Sequence, residues 1–348
     1  MKILRNGLTQ RWVGASLFAV ALVLCEPIYA LAFDVGSATG EKPKSGRMLL
    51  IVGAPGEESY QEEFARWAQS WKAVAPTQHL ELTTIGLGST GAVADRDTIH
   101  QQIDSAIQAD TPSLWIVMIG HGTFDRGVTK FNLRGADITV QEMATWLKPW
   151  RNRLIVLCCS SASSSFLTEL SGPERVIVTA TRSGNEQNYA RFGGYLAQAI
   201  TDTATDLDHD DEVSLLEAYL AAASQTDKFY QEASRLATEH ALLDDNGDKL
   251  GTGASFFRGL RPAKSPEPGK SMDGAVAARI MLRASTTGPK FTGEQLVQRE
   301  QIEESIHVLR GRKSTMNADD YYSQLEALLL QLAALYQTAE SAIEKQGK

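Results

Sequence analysis

The chain is poor in cysteine, and this scarcity excludes some classes of protein. Only Cys25, Cys158 and Cys159 occur among the 348 residues. The last two are neighbours in sequence, and such neighbours rarely form a disulfide because the backbone between them would be strained. A scaffold held together by disulfides is therefore excluded. The chain also lacks the Cys-x-x-Cys and His-Glu-x-x-His spacings, which excludes the zinc sites built on them.

Runs of basic residues are also lacking. The chain carries 34 lysines and arginines against 42 aspartates and glutamates, and its net charge is −8 at pH 7. Proteins that bind nucleic acids do so mainly through clustered basic residues that contact phosphates. We therefore expect no nucleic-acid partner.

The N-terminal segment has the pattern of a secretion signal. Lys2, Arg5 and Arg11 precede an uncharged, mostly apolar stretch over residues 12–25, and Ala30 and Ala32 fit the small-x-small cleavage rule. We predict a signal peptide over residues 1–32, cut after Ala32, and an exported protein that is periplasmic or secreted. The apolar stretch is short for a membrane span, so we expect none after cleavage. An uncleaved N-terminal anchor is the alternative.

The rest of the chain predicts an α/β protein with a helical C-terminus. Short apolar runs at 47–53, 80–85, 113–119, 153–157 and 175–179 alternate with helical periods, which is typical of a mainly parallel sheet. We predict a linker at 33–46, one domain at 47–261, a linker and covering segment at 262–290, and a helical hairpin at 291–348. Helices are also expected at 214–223 and 230–243. The hairpin could pack on the domain or hold a protein partner.

Two of the predicted strands run into reactive side chains. Residues 113–119 lead into His121 and Gly122, and residues 153–157 lead into Cys159. Parallel strands end along one edge of a sheet, and ligands bind at that edge. A histidine and a thiol on neighbouring strand ends are the minimum needed for nucleophilic cysteine catalysis.

This pair predicts hydrolysis of a peptide or protein substrate. Cys159 would attack the carbonyl carbon, the N–H groups of Gly122 and Cys159 would bind the oxyanion, and His121 would protonate the leaving amine. The alternative is structural, because a cysteine is often a small buried hydrophobe and a histidine can end a strand in a turn. No Gly-x-Ser-x-Gly elbow is present, which argues against an α/β-hydrolase.

The two strand ends resemble those of the caspase-like cysteine peptidases, and most of all the legumain-type (asparaginyl endopeptidase) family. That family has a strand followed by His-Gly and a later strand that ends Ala-Cys-Glu-Ser-Gly-Ser. The resemblance places the histidine at His121 and the nucleophile at Cys159, and it covers roughly residues 47–240. It implies a caspase-like three-layer α/β sandwich with a mainly parallel sheet, here followed by the C-terminal hairpin.

The same resemblance assigns a substrate cleft, with two departures. Gln61 stands where legumain-type enzymes have an arginine that binds the residue before the cut. Ser160 and Ala162 stand where they have glutamate and glycine. Thr181, after the fifth predicted strand, is also expected to contact substrate. Because Gln61 carries no charge, a preference for asparagine or aspartate does not carry over.

An acidic segment has the spacing of a calcium-binding loop. Asp206, Asp208 and Asp210 occupy positions 1, 3 and 5, Glu212 position 7 and Glu217 position 12 of an EF-hand pattern. Aspartate replaces the usual glycine at position 6. We therefore predict Ca²⁺ at this loop, with a solvated acidic loop as the alternative, and we expect no cofactor to be required.

Taken together, the patterns predict a secreted cysteine endopeptidase that uses a His/Cys dyad. A non-catalytic caspase-like binding or scaffold module is the alternative from another class. Its interaction surface would be the C-terminal hairpin.

Overall fold

The computed structural model describes residues 46–346, apart from 89–90, 92, 264–271 and 287. The predicted signal peptide (1–32) and almost all of the first predicted linker (33–46) lie outside the described residues. Within the described part, no helix is both long enough and apolar enough to cross a membrane.

The described part of the chain alternates between strands and helices, as the sequence predicts. The strands, in chain order, are β1 (Gly46–Val52), β2 (Leu80–Ile85), β3 (Ser113–Ile119), β4 (Gly122–Asp125), β5 (Val128–Phe131), β6 (Ile138–Thr139), β7 (Arg153–Cys159), β8 (Arg175–Thr179), β9 (Val213–Ser214), β10 (Leu242–Asp244), β11 (Phe257–Arg258), β12 (Arg261–Pro262) and β13 (Met281–Arg283). The helices are α1 (Glu58–Thr77), α2 (Asp95–Gln108), α3 (Val140–Trp146), α4 (Ser164–Leu170), α5 (Phe192–Thr201), α6 (Leu215–Glu232), α7 (Gly293–Gly311) and α8 (Ala318–Gln346).

A six-stranded sheet forms the centre of the fold. Its order is β10-β8-β7-β3-β1-β2. The pairs β1–β2, β1–β3, β3–β7 and β7–β8 are parallel, and only the edge strand β10 runs antiparallel to its neighbour. The predicted α/β fold with a mainly parallel sheet is therefore confirmed.

Both faces of the sheet are covered by helices. Side chains such as Leu50 and Val117 face α1, α5 and α6 on one side, which we call the α1 face. Alternate residues such as Leu49 and Ile116 face α2, α3 and α4 on the other. A strand buried on both faces reads as a continuous apolar run, which is why these strands could be recognised in the sequence. The three layers agree with the sandwich expected from the sequence.

Two local predictions differ from the structure. β7 does not end at residue 157 but continues through both cysteines to Cys159, because small apolar side chains pack well on both faces of a sheet. The helix predicted at 230–243 is wrong. Instead, α6 runs on to Glu232, and β10 pairs with β8 at the end of the segment, since sheet pairing outweighs a local helical pattern.

The predicted C-terminal hairpin is present as α7 and α8. Thr292 caps α7, and its side chain accepts a hydrogen bond from the backbone N–H of Gln295, as the sequence predicts. Phe291, Ile302 and Leu335 belong to the apolar seam between the two helices. Ion pairs join α7 to the α/β domain, so at least this helix packs on the domain.

Candidate active site

His121 lies two residues beyond the end of β3, on the α1 face. Its ring packs against Tyr60 at 4.9 Å and Phe64 at 5.3 Å between ring centres, and Tyr189 lies at 5.9 Å. Its Nε2 is 3.1 Å from the backbone oxygen of Pro55. A carbonyl oxygen only accepts hydrogen bonds, so Nε2 donates. In the neutral imidazole this leaves Nδ1 as a proton acceptor.

Gly122 begins β4 and lies tightly against the turn that follows β7. A Cβ at this position would meet the backbone oxygen of Ser161 at 2.2 Å and Oγ of Ser160 at 2.9 Å. Only glycine therefore fits here without displacing the backbone. The Gly122 N–H points at Oγ of Ser161 across 3.4 Å, so the predicted oxyanion donor does face the end of β7.

Cys159, the predicted nucleophile, lies inside the sheet rather than at its edge. It is paired with Ile119, two residues before His121, and it is 1% exposed. The N-terminal turn of α5 covers it, since a Cβ on Gly193 would come within 2.5 Å of the Cys159 Cβ. Burial, and then the neighbouring Cys158, raise the pKa of the Cys159 thiol. The structure therefore does not bring an ionised Cys159 together with His121.

Ser161 is the residue that meets the His121–Gly122 segment. Its hydroxyl donates to the backbone oxygen of Gly122 over 3.1 Å. Both Ser161 and the Gly122 backbone are buried at the strand ends. The sequence alone did not indicate Ser161 as a site residue. Nor did it indicate Pro55, which contributes its backbone oxygen, a group that every residue type carries.

The predicted substrate-binding residues lie in different environments. Gln61 is exposed on α1. Ser160 is fully buried, with Oγ 3.3 Å from the sulfur of Cys158. Thr181 is also fully buried, and its Oγ1 accepts from the backbone N–H of Ser163 over 2.7 Å. The structure thus places Ser160 and Thr181 in the interior, where they support the turn after β7 instead of facing substrate as predicted.

An open cavity of about 240 Å³ lies beside the aromatic side chains around His121. Trp67, Tyr189 and Arg191 are among the side chains that line it. The guanidinium of Arg191 stacks on Tyr189 and on Phe229, 5.4 and 4.2 Å from the ring centres. Burial, and then a hydrogen bond to Glu63, raise the pKa of Tyr189, which stays a neutral hydrogen-bond donor. The cavity is amphipathic and can accept a peptide side chain.

The predicted calcium loop is only partly assembled. Oxygen atoms of Asp206, Asp208 and Asp210 lie within 4.8 Å of one another. Asp211, at the position normally held by glycine, takes a left-handed backbone with φ of 68°. Burial, and then the neighbouring carboxylates, raise the pKa of Asp208, as expected for crowded negative charges.

The two glutamates predicted as calcium ligands are engaged elsewhere. Glu212 pairs with Arg299 of α7 over 2.7 Å. Glu217 accepts hydrogen bonds from the backbone N–H groups of Leu207 and Ser214, each over 2.8 Å. Its carboxylate therefore completes the N-terminal cap of α6 rather than joining the three aspartates.

Comparison with known proteins gives only distant similarities. No family model matches the chain, and no curated protein matches it. The initiator caspase Dronc of Drosophila is similar over 59% of this chain and 83% of its own length, with 14% identity and a TM-score of 0.39. Caspase-1 from Spodoptera frugiperda is similar over 58% of this chain and 86% of its own, with 10% identity and a TM-score of 0.37. The legumain-type relationship stays a prediction.

Proposed function

We propose that this chain hydrolyses peptide bonds at the carboxyl ends of β3 and β7. The observation that supports this most directly is the hydrogen bond of the His121 ring. Its Nε2 is tied to the Pro55 carbonyl, so its Nδ1 is left to accept a proton. Ligand sites of open α/β sheets lie at this end of the strands.

The backbone next to His121 supplies the second requirement of acyl transfer. The N–H of Gly122 points at the end of β7, and the absence of a side chain lets another group approach closely. A backbone N–H placed at a developing oxyanion stabilises the transition state, and the loss of one such donor costs about 10²–10³ in rate. His121 would pass the proton of the nucleophile to the leaving amine.

The proposal predicts cleavage that depends on His121. We expect the wild-type chain to cut a fluorogenic peptide library and His121→Ala to be slower by about 10²–10⁴-fold, the usual contribution of a general acid–base group. His100→Ala is a matched control, because His100 lies on α2 and stacks on Trp146. Its activity should equal that of the wild type.

Two results would contradict the proposal. One is a wild-type chain that cuts no member of the library. The other is equal cleavage by the wild type and His121→Ala. A chain that binds peptides without cutting them would be the non-catalytic module considered from the sequence.

We also propose that residues 1–32 are removed on export, on the strength of the N-terminal pattern alone. Protein recovered outside the cytoplasm should then begin at Phe33. Intact-mass spectrometry of that fraction measures this, and a chain that retains Met1 would instead be anchored or retained.

A further inference from the structure

We infer that Ser161, and not Cys159, is the nucleophile of this site. The inference rests on the proposed function and assigns the attacking atom within it. It is carried by the register of β3 and β7, by the contacts of the Ser161 hydroxyl, and by the backbone turn that follows β7.

The register of the two strands brings together the segments that carry His121 and Ser161. β3 and β7 pair in parallel without interruption from Ser113 with Arg153 to Ile119 with Cys159. His121 and Ser161 are each the second residue after the last pair of this ladder, and their segments stay in contact through Gly122 and Ser161. The His121 ring packs on Tyr60 and Phe64 of α1. Cys159 belongs to the core on the α1 face, but it lies inside β7, two residues before Ser161.

The hydroxyl of Ser161 already contacts the backbone of the residue after His121. It donates to the Gly122 oxygen over 3.1 Å, and the Gly122 N–H points back at Oγ over 3.4 Å. The N–H that would bind an oxyanion therefore lies next to the attacking oxygen. In the proposed reaction, rotation about χ1 of Ser161 would turn Oγ from the Gly122 oxygen to the imidazole. Catalytic hydrogen bonds are often formed only when substrate is bound.

Ser161 lies in the turn that follows β7. Ala162 has a left-handed backbone with φ of 53°, which costs energy for a residue with a side chain. A hydrogen bond from the Ala162 N–H to the Glu186 oxygen, 2.8 Å long, holds this conformation. Strain of this kind collects at functional sites, and here it lies at the residue directly after Ser161, in the turn that follows β7.

Cys159 lacks each of these features. It is a regular member of β7, and the start of α5 covers it. A thiol acts as a nucleophile only after ionisation, and an apolar environment opposes that. The structure gives it the role of a small core residue.

The reaction balances with water as the only co-substrate. Oγ of Ser161 forms a bond to the carbonyl carbon of the peptide while its proton passes to Nδ1 of His121. The C–N bond then breaks, and His121 returns the proton to the leaving amine. Water attacks the acyl ester, gives a proton to His121, and releases the acid as the proton returns to Oγ.

A fluorophosphonate probe applied to the full-length chain tests the assignment. Attack by Oγ forms an O–P bond and releases fluoride, and mass spectrometry locates the modified residue. We expect labelling at Ser161 in the wild type, and none in Ser161→Ala or His121→Ala. Peptide cleavage should fall by about 10³-fold or more in Ser161→Ala, as for the loss of a hydroxyl nucleophile elsewhere.

Matched controls separate this result from a general loss of structure. Ser165→Ala removes a nearby hydroxyl that contacts Thr129, and Cys158→Ala removes the thiol on the opposite face of β7. Both should be labelled and active at the wild-type level. The inference is overturned if Cys159→Ala abolishes cleavage while Ser161→Ala retains it, or if the probe modifies no residue of an active wild-type chain.

The variant Ser161→Cys separates the placement of residue 161 from hydrolysis itself. A thiol beside His121 should be alkylated by iodoacetamide at least about tenfold faster at pH 7 than the same thiol in Ser161→Cys/His121→Ala, which corresponds to a pKa lowered by about one unit. Equal rates would overturn the inference. If Ser161→Cys shows the His121 effect but the wild type cuts no peptide, only the proposed function fails.

Discussion

At Gly122, the residue after His121, there is no room for a side chain. Its missing side chain lets β4 lie against the turn after β7, where the backbone oxygen of Ser161 is 2.2 Å from the position that a Cβ would take. The same close approach aims the Gly122 N–H at the strand end. One residue therefore supplies both the fit of two segments and a hydrogen-bond donor.

We predict that Gly122→Ala lowers both stability and activity. A new Cβ would lie 2.2 Å from a backbone oxygen, so β4 must shift, at a cost of about 1–3 kcal/mol in the free energy of unfolding. The shift would also move the N–H donor. Denaturant unfolding and peptide cleavage measure the two effects. Gly311→Ala, where nothing lies within 4 Å, is the control and should be at least as stable as the wild type.

Among the elements, α3 depends on the charge of one side chain at its start. Thr139 and Glu142 form a capping box, and Glu142 also pairs with Arg96. Burial opposes ionisation of Glu142, but the hydrogen bonds from Thr139 and Arg96 outweigh it and lower the pKa of Glu142 to about 2. Ionised Glu142 therefore favours the folded state.

This shift predicts a pH-dependent effect of Glu142→Gln. Glutamine keeps the cap but loses the charge, so the variant should be about 0.5–1 kcal/mol less stable near pH 7. A folded-state pKa below the unfolded value stabilises above the unfolded value of about 4.5. The difference from the wild type should therefore shrink as pH falls from about 4.5 toward 2. Unfolding curves across this range measure it, and a difference that does not change with pH would contradict the role of the charge.

Calcium binding at the acidic loop before α6 remains a prediction. Three aspartates crowd their oxygens together while Glu212 and Glu217 are occupied, so we expect weak Ca²⁺ binding, with a dissociation constant of about 10⁻⁴–10⁻³ M.

Calcium should raise the melting temperature of the wild type in the millimolar range. Asp208→Asn should remove this response, and it should be more stable than the wild type without calcium because it relieves repulsion. Asp227→Asn, at an exposed position on α6, is the control and should respond like the wild type. A wild-type chain that is insensitive to calcium would leave a plain acidic loop.

For the whole molecule, one buried link between the hairpin and the α/β domain is the pair Arg299–Glu212. Both side chains are mostly buried, at 14% and 12% exposure. Burial lowers the pKa of Arg299, but its hydrogen bonds with Glu212 and Glu303 outweigh this and raise it above the ordinary value. The guanidinium is therefore charged at every pH at which the protein folds.

We predict that Arg299→Met destabilises the chain by about 3 kcal/mol, because it leaves the Glu212 charge buried without a partner. Arg299→Met/Glu212→Met should recover most of that loss, since it removes both charges. Thermal or denaturant unfolding of the two variants decides this. If the double variant is no better than the single one, the pair is not the link proposed here.

Most of the fold could be predicted from the sequence, because strands buried on both faces are continuous apolar runs. What depends on distant contacts could not. The segment over 230–243 has a helical pattern, but β10 pairs with β8, and the buried carboxylate of Glu239 binds the N–H of Phe192 and the hydroxyl of Tyr230. Neither contact can be read from local periodicity.

The sequence places the candidate site at the ends of β3 and β7, but the nucleophile assigned from sequence differs from the one inferred from the structure. His121 and Gly122 were found because their residue types are distinctive. Cys159 was chosen for its residue type. The pairing of the two strands, from Ser113 with Arg153 onward, instead brings Ser161 to the His121–Gly122 segment. Both His121 and Ser161 lie eight residues after their strand's first residue. That equal spacing was available as a signal.

The parallel pairing of β3 and β7 thus sets which residue after Arg153 reaches the turn at the end of β7. Two extra residues inserted before Cys158 would bring Cys159 to the position now held by Ser161, with no exchange of amino acids. A single extra residue would turn either group away. In this architecture the change from hydroxyl to thiol chemistry is a matter of strand length as much as of side-chain identity.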